Sequence, residues 1–490
     1  MSPQFRPLHL SPRLALVATS LGFFVVCLDV TVVNVALARI RASLAMDSTT
    51  LEWVVNAYTL AFASLLLTAG ALADRSGARR VFVGGLAVFT CASIACALSA
   101  NATLLIVSRL VQGAGAALCV PSSLALLGAA FPDAEARAKA VSIWAGTAAL
   151  ALGAGPLVGG LLVDRFGWPS IFLINVPVGV AGIWLTLAHA PETVFNCGRR
   201  IDLAGQMLAV VTLAALTYAV VESGRLGWTS STVLSALALS AVMGGLFIAV
   251  EAWQDQPLLP LTLFRNAAVT VSALTGLSLN FGYYGLMFAM SVFFQSVRHD
   301  TPLETGLAFL PMTAVVAVAN VVSGRLAARF GYRVPMLYGQ VLAALGYVSL
   351  LSVRADGSPL VTALPLLAVG IGVALAVPSI NTAVLTNVAP SYVGIGSGVL
   401  NSARQIGGVL GVGVFGLLVR PESNDLVHGL HLAVMLAFLL TLFSLATARA
   451  LLGGASGTSV DRSPGEAVRF HDASERHDGS KTGPISQRQT

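Results

Sequence analysis

Two charges stand inside long apolar runs, where charge is costly. Asp29 lies in the stretch Leu14–Ala38, and Arg109 lies in the stretch Thr103–Gly128. A charged side chain at the centre of a lipid-spanning helix costs about 2.5–3.5 kcal/mol on insertion scales, and such groups mark ion or proton paths. Burial disfavours the charged form of a carboxylate, whereas a neighbouring guanidinium favours it. If the two face one another, any motion that changes their separation changes how tightly the acid holds a proton. That is the minimum chemistry for tying the movement of a solute to the movement of a proton.

A second group of charges forms a short polar turn between apolar runs: Asp74 among Arg75, Arg79 and Arg80, with Gly70 and Gly77 on either side. A carboxylate there can meet the positive N-terminal end of another helix or an arginine on a neighbouring loop. The glycines allow close approach and a tight turn. Gly153, Gly155, Pro156, Gly159 and Gly160 crowd one apolar run; small residues let membrane helices pack closely, and the proline bends its helix. Arg404 sits seven residues into another run, 397–419, about 10 Å deep, from where its stem reaches the headgroups by snorkelling. Asn34, Asn56, Asn175 and Asn381 are expected to face the bundle interior. With Tyr58, Gln112 and Tyr284 they form the candidate lining of a substrate cavity. Cys27, Cys91, Cys96, Cys119 and Cys197 make no CxxC pair, and the histidines lack ligand spacing. No phosphate-binding GxxxxGK[ST] loop is present. The expectation is no catalytic residue, no metal and no cofactor, with a proton gradient as the energy source.

These residues need helices to position them. The 490 residues are 56% hydrophobic and 10% charged, with a mean hydropathy of +0.82, whereas a soluble domain is about 25% charged. A bilayer core about 30 Å thick takes roughly 20 residues at 1.5 Å each, and the apolar runs divide into fourteen such spans. The chain reads as an all-α polytopic membrane protein. That excludes a soluble enzyme, a nucleic-acid binder and a secreted disulfide scaffold; the lysines and arginines are scattered through short loops. Counting those charges near the span ends gives 13 on one side and 7 on the other. The positive-inside rule then puts both termini on the cytoplasmic side of the cytoplasmic (inner) membrane. Asp29 lies 15 residues into the first span, about 22 Å from the inner face, and Arg109 about 9 Å below the outer face. The two are level.

The chain also repeats itself. Gly70–Arg79 matches Gly324–Arg333 at six of ten positions, and Gly113–Ser122 matches Gly370–Ser379 at seven of ten, at offsets of 254 and 257 residues. Two collinear matches imply two six-helix halves built as parallel repeats. The expected organisation is an N-terminal segment 1–13, a first half 14–188, a linker 189–267 carrying two inserted helices, a second half 268–452 and a disordered tail 453–490. Ala328 replaces Asp74, and Leu366 replaces Arg109, in the second copy; the scaffold was duplicated without its charges.

Six stretches, in order, resemble motifs of the 14-helix drug:proton antiporters of the major facilitator superfamily. They are Leu28–Leu37, Gly70–Arg80, Arg109 with Gln112–Gly115, Gly153–Gly160, Trp168 with Phe172–Gly179, and Asn401–Gly408. One departure is Ala38, where the family carries proline. The resemblance implies a major facilitator fold with the substrate site between the halves near the midplane. It implies that Gly70, Asp74, Arg75, Gly77 and Arg79 latch the cytoplasmic side. It also implies that the glycines of 153–160 form the antiporter motif, which in that family goes with export. The expected activity is proton-coupled export of small amphipathic organic compounds by alternating access, by a monomer whose partners are substrate, protons and lipid. A facilitator or importer of one metabolite is the alternative, and a polytopic membrane enzyme a remote one.

Overall fold

The computed structural model describes residues 11–192, 202–254, 259, 261–388, 393–420 and 425–453. The expected tail 453–490 lies outside the described residues but for its first position, as does Cys197. The described residues form helices and no strand. The first half runs α1 (Pro12–Leu44), α2 (Ser48–Ser76), α3 (Ala78–Ala97), α4 (Ala102–Ala130), α5 (Ala134–Phe166), α6 (Ser170–Leu173) and α7 (Asn175–His189). α8 (Leu203–Leu226) and α9 (Ser231–Trp253) follow. The second half runs α10 (Ala267–Ser296), α11 (Pro302–Ala308), α12 (Leu310–Thr313), α13 (Val316–Phe330), α14 (Arg333–Ser349), α15 (Pro359–Asn387), α16 (Val393–Leu418) and α17 (Leu426–Gly453). Twelve helices, counting α6–α7 and α12–α13 as single spans, are long and apolar enough to cross a membrane; α2, bent by 54° between Leu66 and Thr68, is a thirteenth. The remaining long helix is the 26-residue α16, over the expected span 397–419. It carries Asn401, Arg404 and Gln405, which dilute its apolar run.

Polar loop residues set where the helices begin. Asp47, Asn101, Asp133 and Asp202 each accept a hydrogen bond from a backbone N–H of the first turn that follows, satisfying donors that have no partner inside the helix. Glycine sets where several end. Gly77 and Gly331, the same position in the two repeats, both adopt positive φ, +89° and +79°, and each donates its N–H to the carbonyl four residues back. An alanine at position 77 is forced into a conformation costing about 1–2 kcal/mol. At Gly70 an added Cβ meets only Pro121 Cβ at 3.8 Å, so the expected close approach at that glycine is absent. Gly77→Ala is therefore expected to lower the midpoint of thermal unfolding in detergent, with Gly70→Ala leaving it unchanged.

The repeat continues into the packing. Where α3 crosses α4, a Cβ on Gly85 would lie 3.0 Å from the Gly115 carbonyl oxygen; where α14 crosses α15, one on Gly339 would lie 2.5 Å from that of Gly372. A Cβ on Gly113 would strike the Tyr58 carbonyl, and one on Gly370 the Met312 carbonyl. The two copies thus use the same crossings, with backbone against backbone.

The halves share one core at the end of the bundle where α1 finishes: Val32, Leu37 and Val54 pack in one cluster with Leu286, Met290 and Phe415. Toward the other end the cores separate, Phe82, Phe89 and Leu126 in the first half and Met336, Ile380 and Val384 in the second. α8 packs on both α2 and α16. Gln206 Nε2 donates to the Ser64 carbonyl at 2.6 Å, and the Thr68 hydroxyl to Gln206 Oε1. α9 turns Leu234, Val242, Leu246 and Ile248 outward, as a helix facing lipid does.

Candidate functional site

Asp29 and Arg109 are 0% and 1% exposed, and Arg109 Nη1 donates to Asp29 Oδ2. Four helices supply the surroundings. From α4, one turn beyond Arg109, Gln112 Nε2 donates to Asp29 Oδ1 at 2.9 Å, and its Oε1 accepts from Arg109 Nη1 at 2.7 Å. From α7, Asn175 Nδ2 donates to Asp29 Oδ1 at 2.9 Å. From α3, Ser93 Oγ accepts from Gln112 at 2.8 Å and from Asn175 at 3.3 Å. Arg109 Nε donates to the Val54 carbonyl of α2 at 3.0 Å, and the guanidinium lies over the Tyr58 ring, 4.4 Å from its centroid. A buried ion pair survives only with such additional hydrogen bonds. Both carboxylate oxygens are matched by donors, while Asn175 Oδ1 is buried without a partner.

The two are level, as the depth arithmetic has it, but they do not merely face one another across a gap between the halves. The pair touches directly and lies inside the first half, because Ser93, Gln112 and Asn175 build a polar pocket there. Gln112, Asn175 and Tyr58 belong to that pocket, Tyr58 donating its hydroxyl to the Val26 carbonyl at 3.2 Å. Nothing in the spacing of Ser93, one serine in an apolar run, announces its part.

The other candidate lining residues scatter. Asn34 Nδ2 bonds carbonyls of its own helix, and its backbone carbonyl accepts from Ser291 of α10, tying the halves together. Asn56 is fully buried with neither amide atom partnered. Asn381 bonds the Val377 carbonyl of its own helix. Tyr284 lies against Gly408 and Tyr283. Arg404 corrects an expectation: it is half-buried inside the bundle rather than reaching for headgroups. Its Cγ lies over Gly276 of α10, whose missing side chain leaves the stem a path inward.

In the polar turn, Asp74 and Arg75 are exposed. Arg79 donates to the Leu187 carbonyl in the last turn of α7 and approaches Glu192 at 3.5 Å. A cation on the open carbonyls of a helix C-terminus is favourable, and it fastens the turn to α7.

The glycines of α5 face two ways. A Cβ on Gly155 would stand 1.9 Å from Thr31 Oγ1, and one on Gly159 would stand 2.8 Å from the Val32 carbonyl, both on α1. A Cβ on Gly153 would stand 2.9 Å from the Thr313 carbonyl, and one on Gly160 would stand 2.5 Å from that of Pro302, both in the second half. Gly306 answers from α11 by lying against the Pro156 carbonyl. α5 is thus wedged between α1 and the second half. Among the described residues no group of three His, Cys, Asp or Glu is placed to hold a metal.

Comparison with known proteins places this architecture. Residues 19–412 match the Major Facilitator Superfamily. The chain is 40% identical to a methylenomycin A resistance protein of Streptomyces coelicolor over 86% of this chain and 89% of that one. It is also 40% identical to the multidrug resistance protein Stp of Mycobacterium tuberculosis, over 82% and 75% respectively. A tetracenomycin C resistance and export protein of Streptomyces glaucescens is 32% identical, over 84% and 77%. Among solved structures, a peptide transporter bound to sulfate superposes with a TM-score of 0.67 at 16% identity, covering 89% of this chain and 94% of that one. A bacterial homologue of the lysosomal transporter Spinster, inward-facing and unoccupied, superposes at 0.62 with 16% identity, covering 90% and 98%. With its helical bundle and matched relatives, the chain belongs to the Major Facilitator Superfamily and is a multi-pass membrane transporter rather than an enzyme.

Proposed function

We propose that the protein exports small, amphipathic organic compounds across the cytoplasmic membrane, driven by proton entry through alternating access. The observation that carries this reading is the buried Asp29–Arg109 pair, an ionisable acid inside a membrane-spanning bundle, where such groups mark proton and ion paths. The direction rests on the relatives, whose names are those of resistance and export proteins. The halves 14–188 and 268–452 rock about a site between them, with 189–267 inserted. Both termini are cytoplasmic and the working unit is a monomer. With that topology the shared core lies on the outer side.

Protonation supplies the switch. Neutral Asp29 no longer compensates Arg109, and its new O–H needs an acceptor. Rotation of the Asn175 amide turns the unpartnered Oδ1 toward it. The network holds α1, α3, α4 and α7 together and reaches the Val54 carbonyl on α2, so its rearrangement shifts the two helices that carry the shared core. The polar turn of Asp74, Arg75 and Arg79, with Gly70 and Gly77, latches the cytoplasmic side in the opposite state. The α5 glycines, with Pro156, keep the wedge between halves tight against leak. Each proton entering supplies about 2.3 kcal/mol per 100 mV.

The test is accumulation of a labelled amphipathic compound in inside-out vesicles. Uptake that an uncoupler abolishes is expected; equilibration indifferent to the gradient identifies a facilitator, and loss of compound driven by the gradient identifies an importer.

A further inference from the structure

Arg404 is a half-buried charge inside the bundle that proton coupling leaves unused. Its stem crosses the bare backbone of Gly276, where a Cβ would lie 2.7 Å from Arg404 Cγ. The helix that carries it, α16, packs on α10 of its own half and on α2 of the other, so Arg404 belongs to a helix at the seam of the two halves. Among the described residues it has no ion pair. Its hydrogen bond is to Asn401 Oδ1 at 3.4 Å, and its Nε is buried without a partner. Arg109 makes a plain contrast, with a carboxylate, an amide, a carbonyl and an aromatic ring around it.

A guanidinium stays charged in proteins, and an uncompensated one within a membrane is expensive. Its charge is therefore met from outside the chain, by water or by an anion, and only an anion cancels it. We infer that Arg404 anchors a site for the carboxylate of a transported organic acid. The planar fork of donors matches a carboxylate bidentately. Tyr284 of α10 lies against α16 one turn along from Arg404, its ring 3.1 Å from where a Cβ of Gly408 would be; its hydroxyl makes no hydrogen bond among the described residues, and the ring provides an apolar wall for the acid's hydrocarbon part. A cation is repelled there, and a neutral compound leaves the guanidinium uncompensated. The inference rests on the export reading and names its substrate class.

The experiment uses three probes of one shape: 2-naphthoate, its neutral amide 2-naphthamide, and the amine 2-naphthylmethylamine. Binding to the full-length protein in lipid nanodiscs is read by equilibrium dialysis, and uncoupler-sensitive accumulation is read in inside-out vesicles. Wild type is expected to bind the acid about tenfold or more tightly than the amide. Arg404→Gln is expected to erase that preference while holding the amide as before. Arg404→Lys, which keeps the charge without the fork, retains part of it and controls for folding. A wild type without preference for the acid overturns the inference, as does an equal loss of acid and amide in Arg404→Gln. Preferential binding without uncoupler-sensitive accumulation overturns proton-driven export and leaves the anion site standing. Accumulation of amide or amine, but never acid, overturns the site and leaves export standing.

Discussion

Asp29→Asn is expected to abolish uphill transport while leaving downhill exchange of substrate across the membrane. With one proton coupled per cycle, losing it removes about 2.3 kcal/mol per 100 mV, which collapses a roughly fiftyfold accumulation ratio to one. The substitution is nearly isosteric but chemically harsh. Asp29 Oδ1 accepts from both Gln112 and Asn175, and an asparagine keeps those bonds with its own Oδ1 only by setting its N–H groups against the Arg109 donor from which Oδ2 now accepts. It also leaves Arg109 without its carboxylate, and removing one partner of a buried pair costs about 3–5 kcal/mol. Thermal unfolding of the purified variant measures that part separately. A variant that folds, exchanges substrate and cannot concentrate it is the expected outcome.

The second large effect is steric. At Gly155 an added Cβ would lie 1.9 Å from Thr31 Oγ1 and 2.9 Å from Thr31 Cβ, so α5 and α1 must separate. Overpacking of this kind costs about 1–3 kcal/mol, and here it acts on the wedge between halves. Gly155→Val is expected to abolish export. Gly155→Ala impairs it, and Thr31→Ala added to Gly155→Ala restores much of it, because the hydroxyl makes the nearest clash. The interaction energy of that cycle is expected within about 0.5–3 kcal/mol. Gly146→Ala, on the same helix with nothing within 4 Å of its added Cβ, is the neutral control. Efflux rates of these four variants and of Thr31→Ala alone, in one strain, make the comparison, and a silent Gly155→Val would remove the role given to α5.

The sequence made depth legible and rotation illegible. A fixed rise of 1.5 Å per residue put Asp29 and Arg109 at one level, and the structure joins them there. Which way each side chain points was hidden, because a helix in lipid is apolar toward lipid and toward its neighbours alike. With no polar face to orient it, α4 gave no hint that Arg109 turns into the first half rather than toward the gap between halves. Arg404 was misjudged for the same reason: its depth allowed snorkelling, and only Gly276, more than a hundred residues away in the chain, opens the path inward. The Gly77 turn was readable because positive φ selects glycine. Gly70, beside it in the same motif, looked equivalent and is not. The repeat was visible in two motifs, yet the matching of Gly85 with Gly339, whose neighbours differ, appeared only in the crossings. Ser93 and Ser291 are polar atoms whose partners lie on other helices, and no local pattern marks them.

Proton movement driven by substrate is the most direct test of the coupling assigned to Asp29. Purified protein is reconstituted into liposomes loaded with a pH-sensitive dye, and an exported compound is supplied to its cytoplasmic side. Wild type is expected to move protons against the substrate flux, and Asp29→Asn to move substrate down its gradient with no proton signal. A proton signal of undiminished size in Asp29→Asn would contradict the account.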